Sequence, residues 1–226
     1  MKKLITNKLN LTLFGVLIML ICSCEESIPI AEQKKPLFPL NVGNSWSYKG
    51  TYYESGNSET VQMNVVSSYT IDGINGFALN EYKKGYPISL LENDENGNLV
   101  EHFFDKDKLV HTTIFFKKNV QKGDTWIYKA AIYTDSVNSM VYERIEDLKA
   151  TCITTDTLIT TPKGDFHCIG FSYDQSMQAN GDYDTMIFYL SENIGIIKYL
   201  LYEHINDKTY STYEQSLTDY SLKNNK

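Results

Sequence analysis

Apolar and polar positions alternate along most of this chain. Across residues 60–69, Val61, Met63 and Val65 fall against Gln62 and Asn64, the period of two that marks a half-buried strand. Asp72-Gly73 and Asn75-Gly76 interrupt the pattern, and residues 77–82 resume it. Residues 88–92 and 99–105 flank Asn93-Asp94-Glu95-Asn96-Gly97-Asn98, a hairpin signal because Asn-Gly supplies the positive φ angles of a tight turn. Further strands are predicted at 108–116, 125–134, 141–145, 149–160, 165–173, 185–190 and 195–204. Thr161-Pro162-Lys163-Gly164-Asp165 reads as the turn between two of them. No segment shows an amphipathic helix of ten or more residues, and short helical turns are expected only near 136–139 or 175–178. This spacing predicts an all-β protein, a curved antiparallel sheet or partly open barrel, with a two-sheet β-sandwich as the alternative.

One string occurs twice. Gly43-Asn44-Ser45-Trp46-Ser47-Tyr48-Lys49 is matched 80 residues later by Gly123-Asp124-Thr125-Trp126-Ile127-Tyr128-Lys129, and each follows a Phe-x-x-Asn-Val segment. The physical reading is a turn feeding a strand in which Trp and Tyr, two residues apart, share a face. The chain is therefore expected to consist of two related halves, about 38–115 and 116–205, within one domain over 37–217. Trp46 and Trp126 are the only tryptophans, and each is expected to fill the core of its half. The competing reading makes them an aromatic ligand platform.

The N-terminus has a different character. Lys2, Lys3 and Lys8 precede an apolar run from Leu9 to Ile21, too short for a spanning helix of ~20 residues and right for a signal peptide. Ile21-Cys22-Ser23-Cys24, followed by Glu25 and Glu26, resembles the lipobox of bacterial lipoproteins. That resemblance implies removal of residues 1–23, a diacylglycerol on Cys24, and attachment to the membrane through this N-terminal lipid. Residues 24–36, with Pro29 and Pro36, read as a flexible linker, and 218–226 as a polar tail.

Charge narrows the partners. Removing 1–23 takes away three basic residues and no acid, moving the net charge from −7 to about −10. Such a surface repels phosphate backbones, so nucleic acid is not an expected partner. Cys152 and Cys168 are the thiols of the folded part. A hairpin centred on Pro162-Lys163 places Cys168 opposite residue 157 or 159, leaving Cys152 beyond the ~7 Å limit for a disulfide. Two separate buried cysteines are the expectation.

Further motifs carry a resemblance. Phe38-Pro39-Leu40-x-x-Gly43-Asn44-x-Trp46-x-Tyr48, Thr161-Pro162-x-Gly164-x-Phe166-x-Cys168 and Asn193-Ile194-Gly195-Ile196-Ile197-Lys198 resemble the signatures of a family of Bacteroidetes-type lipoproteins. The resemblance implies an envelope lipoprotein on the outer membrane, facing the periplasm or the cell surface, and no particular activity. Lys163 departs from the family pattern, which has a small residue there. Glu25-Glu26 resembles a short version of the surface-export signal of such lipoproteins.

Candidate chemistry is sparse. His102, His111, His167 and His204 fall singly, without metal-ligand spacing, so neither a metal site nor a cofactor is expected. Cys168 beside His167 cannot act as a pair, because adjacent strand residues point to opposite faces. Asp94-Glu95-Asn96-Gly97-Asn98 has the oxygen content of a calcium loop, but a hairpin explains the same residues. Three roles remain, in this order: a non-catalytic binding or scaffolding protein for a glycan, peptide or partner protein; a carrier of an apolar ligand; a hydrolase with dispersed acids. Exposed tyrosines among Tyr52, Tyr53, Tyr82, Tyr86, Tyr210 and Tyr213 would favour the first.

Overall fold

The computed structural model describes residues 35–81, 83–136, 139–175, 182–206 and 208–223, with backbone alone over 133–136 and 139–141. The signal peptide, Cys24 and nearly all of the expected linker lie outside the described residues, as do residues 137–138 and 176–178 of the expected helical turns.

Thirteen strands occur among the described residues: β1 (Ser45–Tyr52), β2 (Ser58–Asn64), β3 (Ser67–Ile71), β4 (Ile74–Ala78), β5 (Ile88–Asn93), β6 (Leu99–Asp105), β7 (Lys108–Phe116), β8 (Thr125–Ser136), β9 (Ser139–Thr161), β10 (Gly164–Asp174), β11 (Tyr183–Ser191), β12 (Gly195–Ile205) and β13 (Lys208–Ser221). The all-β expectation holds. The strands form an eight-stranded sheet, β2-β1-β13-β12-β11-β10-β9-β8, and a five-stranded sheet, β3-β4-β5-β6-β7. Every pairing is antiparallel, and the sheets are not closed into a barrel.

Both sheets contribute to one core. Leu91, Leu99 and Phe116 of the small sheet pack with Leu148, Ala150, Phe171 and Tyr173 of the large one. Phe115 and Phe116 lie 4.2–6.1 Å, ring centre to ring centre, from Tyr128, Phe171, Tyr173, Phe188 and each other. Offset and edge-to-face contacts of this kind add to the area that aromatic rings bury. These contacts fall on β8 to β11. A smaller apolar cluster (Ile71, Ala78, Ile88, Leu90, Phe104) forms on the other face of the small sheet.

Four sequence expectations need correction. Asn75-Gly76 does not interrupt a strand but lies inside β4, which ends at Ala78, short of the expected 77–82. The single strand expected over 60–69 is two, β2 and β3, in different sheets. Val65 bonds Gly43 and Asn44 in the large sheet, and the Val66 amide bonds Ala78 in the small one. Val61, Met63 and Val65 turn to the shared core while Tyr69 and Ile71 turn to the smaller cluster, so the apolar alternation runs through the break although the strands face different clusters. The strands expected at 141–145 and 149–160 are one strand, β9. Glu146 and Asp147 interrupt the apolar pattern, yet they pair with Ala130 and Lys129 in register. Finally, residues 208–221 form β13, which the sequence did not reveal, and the polar tail expected from 218 completes it. Tyr220 lies opposite Trp46 and Ser221 opposite Ser45.

The repeated string makes the same local structure twice. Gly43 and Gly123 both adopt φ near +90°, which favours glycine. The Gly43 amide donates to Val65 and the Val65 amide to Asn44; the Gly123 amide donates to Cys152 and the Cys152 amide to Asp124. Asn44 and Asp124 each donate their amides three residues back, to Asn41 and Gln121. The sheets do not divide along the repeat, because β1 and β2 belong to the same sheet as β8–β13.

The other motifs are also structural. Phe38 stacks 4.8 Å from Trp46 and lies against Gly195, where a Cβ would come within 2.8 Å of its ring. Trp46 Nε1 donates to the Ile194 carbonyl at 2.6 Å, and the Tyr48 hydroxyl to that of Ile196 at 3.1 Å. Pro162-Lys163 is the turn between β9 and β10, and Lys163 Nζ reaches Asp219 at 2.5 Å. Cys168 lies opposite Thr157 and Cys152 opposite Phe171, and both thiols are free and buried.

Candidate functional site: an aromatic groove at the open end of the large sheet

At the β2 end of the large sheet the inner face carries a half-open cavity of about 190 Å³. Tyr48, Val61, Met63, Phe188, Ile196, Tyr199 and Gln215 line it. Strand alternation places them together: Val61 lies opposite Tyr48, and Tyr199 opposite both Phe188 and Gln215, so β2, β1, β13, β12 and β11 each turn side chains to one face. An apolar cavity of 150 Å³ accepts benzene, so this volume suits one ring or one branched aliphatic group.

An aromatic row extends from the groove across the sheet. Tyr52 lies 4.7 Å from Tyr213, Tyr213 6.2 Å from Tyr199, Tyr199 4.8 Å from Phe188, and Phe188 5.5 Å from Tyr173. Gly50 makes this possible on β1. A Cβ there would collide with the Tyr213 hydroxyl, so the ring crosses the strand only over glycine. At the rim, Glu59 Oε1 accepts the hydroxyls of Tyr52 at 2.9 Å and Tyr213 at 2.8 Å. The Gln215 amide donates to the Tyr213 oxygen at 2.8 Å. Burial pushes the phenols of Tyr199 and Tyr213 up to about 12, so both remain neutral near pH 7. The groove therefore offers an apolar floor, neutral hydroxyls and one carboxylate.

The tyrosines picked out in the sequence divide. Tyr52 and Tyr213 meet at the rim, Tyr52 45% exposed and Tyr213 buried. Tyr53, also exposed, donates to Glu214 at 2.6 Å. Tyr86 lies in the loop before β5, Tyr210 is exposed on β13, and Tyr82 is outside the described residues. Trp46 and Trp126 do not form a platform. Trp46 is fully buried, while Trp126 is half-buried, packs edge-on to Phe171 and Tyr173, and donates to the Ile114 carbonyl at 3.1 Å. Sequence reasoning missed the groove because Tyr213 and Gln215 lie on the unrecognised β13, and because nothing in 60–69 marks Val61 and Met63 as less covered than Val65.

Elsewhere several of the candidate polar side chains are held by other groups of the fold, although Asn93 Oδ1 and both ring nitrogens of His111 are buried without a hydrogen-bond partner among the described residues. Asp94 Oδ1 accepts the amides of Asn96 and Asn98, and its Oδ2 accepts the Asn98 side chain, all at 2.8–2.9 Å. This carboxylate closes a hairpin, which replaces the calcium-loop reading. His102 and His111 are not opposite one another, since they pair with Thr112 and Phe103. His102 is buried, with Nδ1 2.8 Å from Thr112 and Nε2 3.1 Å from Glu92. No group of three metal-ligating side chains occurs among the described residues. The nearest approach to a catalytic relay is Asp174, Thr185 and His204 on the outer face. Thr185 Oγ1 lies 2.9 Å from Asp174 and 3.0 Å from His204 Nε2, but Nδ1 of His204 faces Thr209. The carboxylate bonds the hydroxyl and not the imidazole, the reverse of a Ser-His-Asp arrangement.

No protein-family model matches the chain, and no curated protein matches it. Two crystal structures do. A candidate lipoprotein of Parabacteroides distasonis aligns at 13% identity with a TM-score of 0.48, covering 83% of this chain and 99% of that one. A candidate exported protein of YmcC-like fold from Bacteroides fragilis aligns at 14% identity with a TM-score of 0.41, over 83% and 100%.

Proposed function

We propose that this protein is a non-catalytic binding protein, held on the outer membrane by a lipid on Cys24, with the aromatic groove as its ligand site. The observation that carries the reading is the half-open cavity itself, lined by Tyr48, Val61, Met63, Phe188 and Tyr199 and rimmed by Glu59, Tyr52 and Tyr213. Small-molecule sites combine an apolar lining with a few placed polar groups, and the groove has that composition. The anchor is argued from the leader: Lys2, Lys3 and Lys8, a short apolar run, and Ser23-Cys24 before Glu25-Glu26.

The size of the groove favours capture of a group projecting from a larger partner over carriage of a whole lipid. At about 190 Å³ it falls below the ~300–1,000 Å³ typical of sites that enclose a complete small ligand. The test uses the full chain in lipid nanodiscs, with methionine methyl groups ¹³C-labelled and benzene as the probe. The Met63 methyl signal, assigned through Met63→Leu, should move saturably, and Val61→Trp, which fills the cavity, should abolish the movement. An unmoved Met63 signal, or the same movement in Val61→Trp, would remove the groove as a binding site.

A further inference from the structure

The strand beside the groove is an open edge. In the order of the large sheet β2 is terminal, paired with β1 and with no second strand among those described. At one end the Tyr52 amide bonds Asn57, and at the other the Val65 amide bonds Asn44. Antiparallel alternation between these bonds turns the backbone groups of Glu59, Val61 and Met63 toward β1. Those of Ser58, Thr60, Gln62 and Asn64 then point away from the sheet.

Edge strands are usually shielded by lysine, proline or a bulge. β2, Ser-Glu-Thr-Val-Gln-Met-Asn, contains neither residue, and its register with β1 is unbroken. The opposite edge of the same sheet is different. On β8, the Trp126 indole donates to the Ile114 carbonyl and the Lys129 amide to Thr113 Oγ1. There the small sheet occupies the edge; β2 has no such cover from the described residues.

We propose that β2 accepts an added strand from an extended peptide of the pattern apolar-x-basic, whose apolar side chain enters the groove and whose basic side chain meets Glu59. This rests on the groove being a binding site and names what it binds. Successive residues of an added strand alternate faces, so residues two apart, ~6.8 Å, both reach the groove side. Glu59 and Val61 have this spacing on β2. In antiparallel addition an apolar residue opposite Val61 is followed two residues later by one opposite Glu59. Oε1 of Glu59 accepts the two tyrosine hydroxyls, and no hydrogen bond to its Oε2 occurs among the described residues. The net charge of about −10 after leader removal, three lysines being lost from −7, favours a cationic partner over an anionic one. Backbone hydrogen bonds would supply affinity and the groove with Glu59 the selectivity, as in other strand additions.

The test is fluorescence anisotropy with the full chain in nanodiscs, empty nanodiscs as control, and the labelled peptide Thr-Thr-Leu-Thr-Arg-Thr-Thr. Saturable binding is expected. It should weaken at least about tenfold when the amides facing β2 are N-methylated, since each lost hydrogen bond counts, and much less when the alternate amides are. Arg replaced by Glu in the peptide should weaken binding similarly, and Glu59→Lys should restore it for that peptide. Gln62→Pro, which removes an outward donor from an exposed position, supplies a second test if Glu59→Lys does not fold. Binding indifferent to both N-methylation patterns would overturn strand addition. So would no peptide binding while Met63 still responds to benzene, a result that leaves the groove intact as a site. Loss of both responses would remove the groove together with the strand.

Discussion

Each tryptophan gives its one polar hydrogen to a backbone carbonyl, Ile194 for Trp46 and Ile114 for Trp126; Trp46 is fully buried and Trp126 half-buried. A buried indole needs such a partner, and both find it on a segment distant in sequence. Trp126→Ala should lower stability by about 2–3 kcal/mol, less than the ~3–5 kcal/mol of a fully buried aromatic because the ring is half-buried, measured by urea denaturation. A loss below about 1 kcal/mol would mean that its contacts with Phe171 and Tyr173 contribute little. The cysteines make a second residue-scale case. Burial pushes the Cys168 thiol up to about 12, and burial followed by the Asp124 carboxylate raises that of Cys152. The thiolate is the reactive form, so neither should react with a thiol reagent at pH 8 while the protein is folded, and both should react in urea. Rapid labelling of the native protein would contradict this burial.

At the scale of elements, β13 is decisive: it joins β12 to β1 and so brings the first strands into the sheet made by the last. Its end is fixed by Tyr220 opposite Trp46, and the chain just beyond it by the Lys223 amide donating to Asn44 Oδ1 at 2.7 Å. Removing residues 218–226 should cost about 2–4 kcal/mol, from lost ladder bonds and the exposure of Trp46, read as a lower urea midpoint. An unchanged midpoint would mean that the last turn of the ladder is dispensable. Much of the ladder was legible: 99–105 and 108–116 are strands with the predicted bounds, because Val-, Phe- and Thr-rich runs there end at turn residues. β13 was not, since Ser, Thr, Glu and Gln dominate it and its core contribution comes mainly from Tyr213 and Leu217. The groove was illegible for the same reason, being built from strands whose proximity depends on β13.

At the scale of the whole molecule, an acidic all-β domain carries a half-open groove and an open strand edge, and its leader argues for a lipid tether. Cys24→Ala should abolish incorporation of labelled palmitate and move the protein out of the membrane fraction or leave the leader uncleaved; unchanged labelling would refute the lipid site. The central claim, an open groove flanked by an open edge, is tested most directly by residue-resolved hydrogen exchange of the full chain without ligand. The amides of Thr60, Gln62 and Asn64 should exchange fast while those of Val61 and Met63, bonded to β1, exchange slowly. Slow exchange at Thr60, Gln62 and Asn64 would mean that another strand already occupies the edge, and would contradict the account.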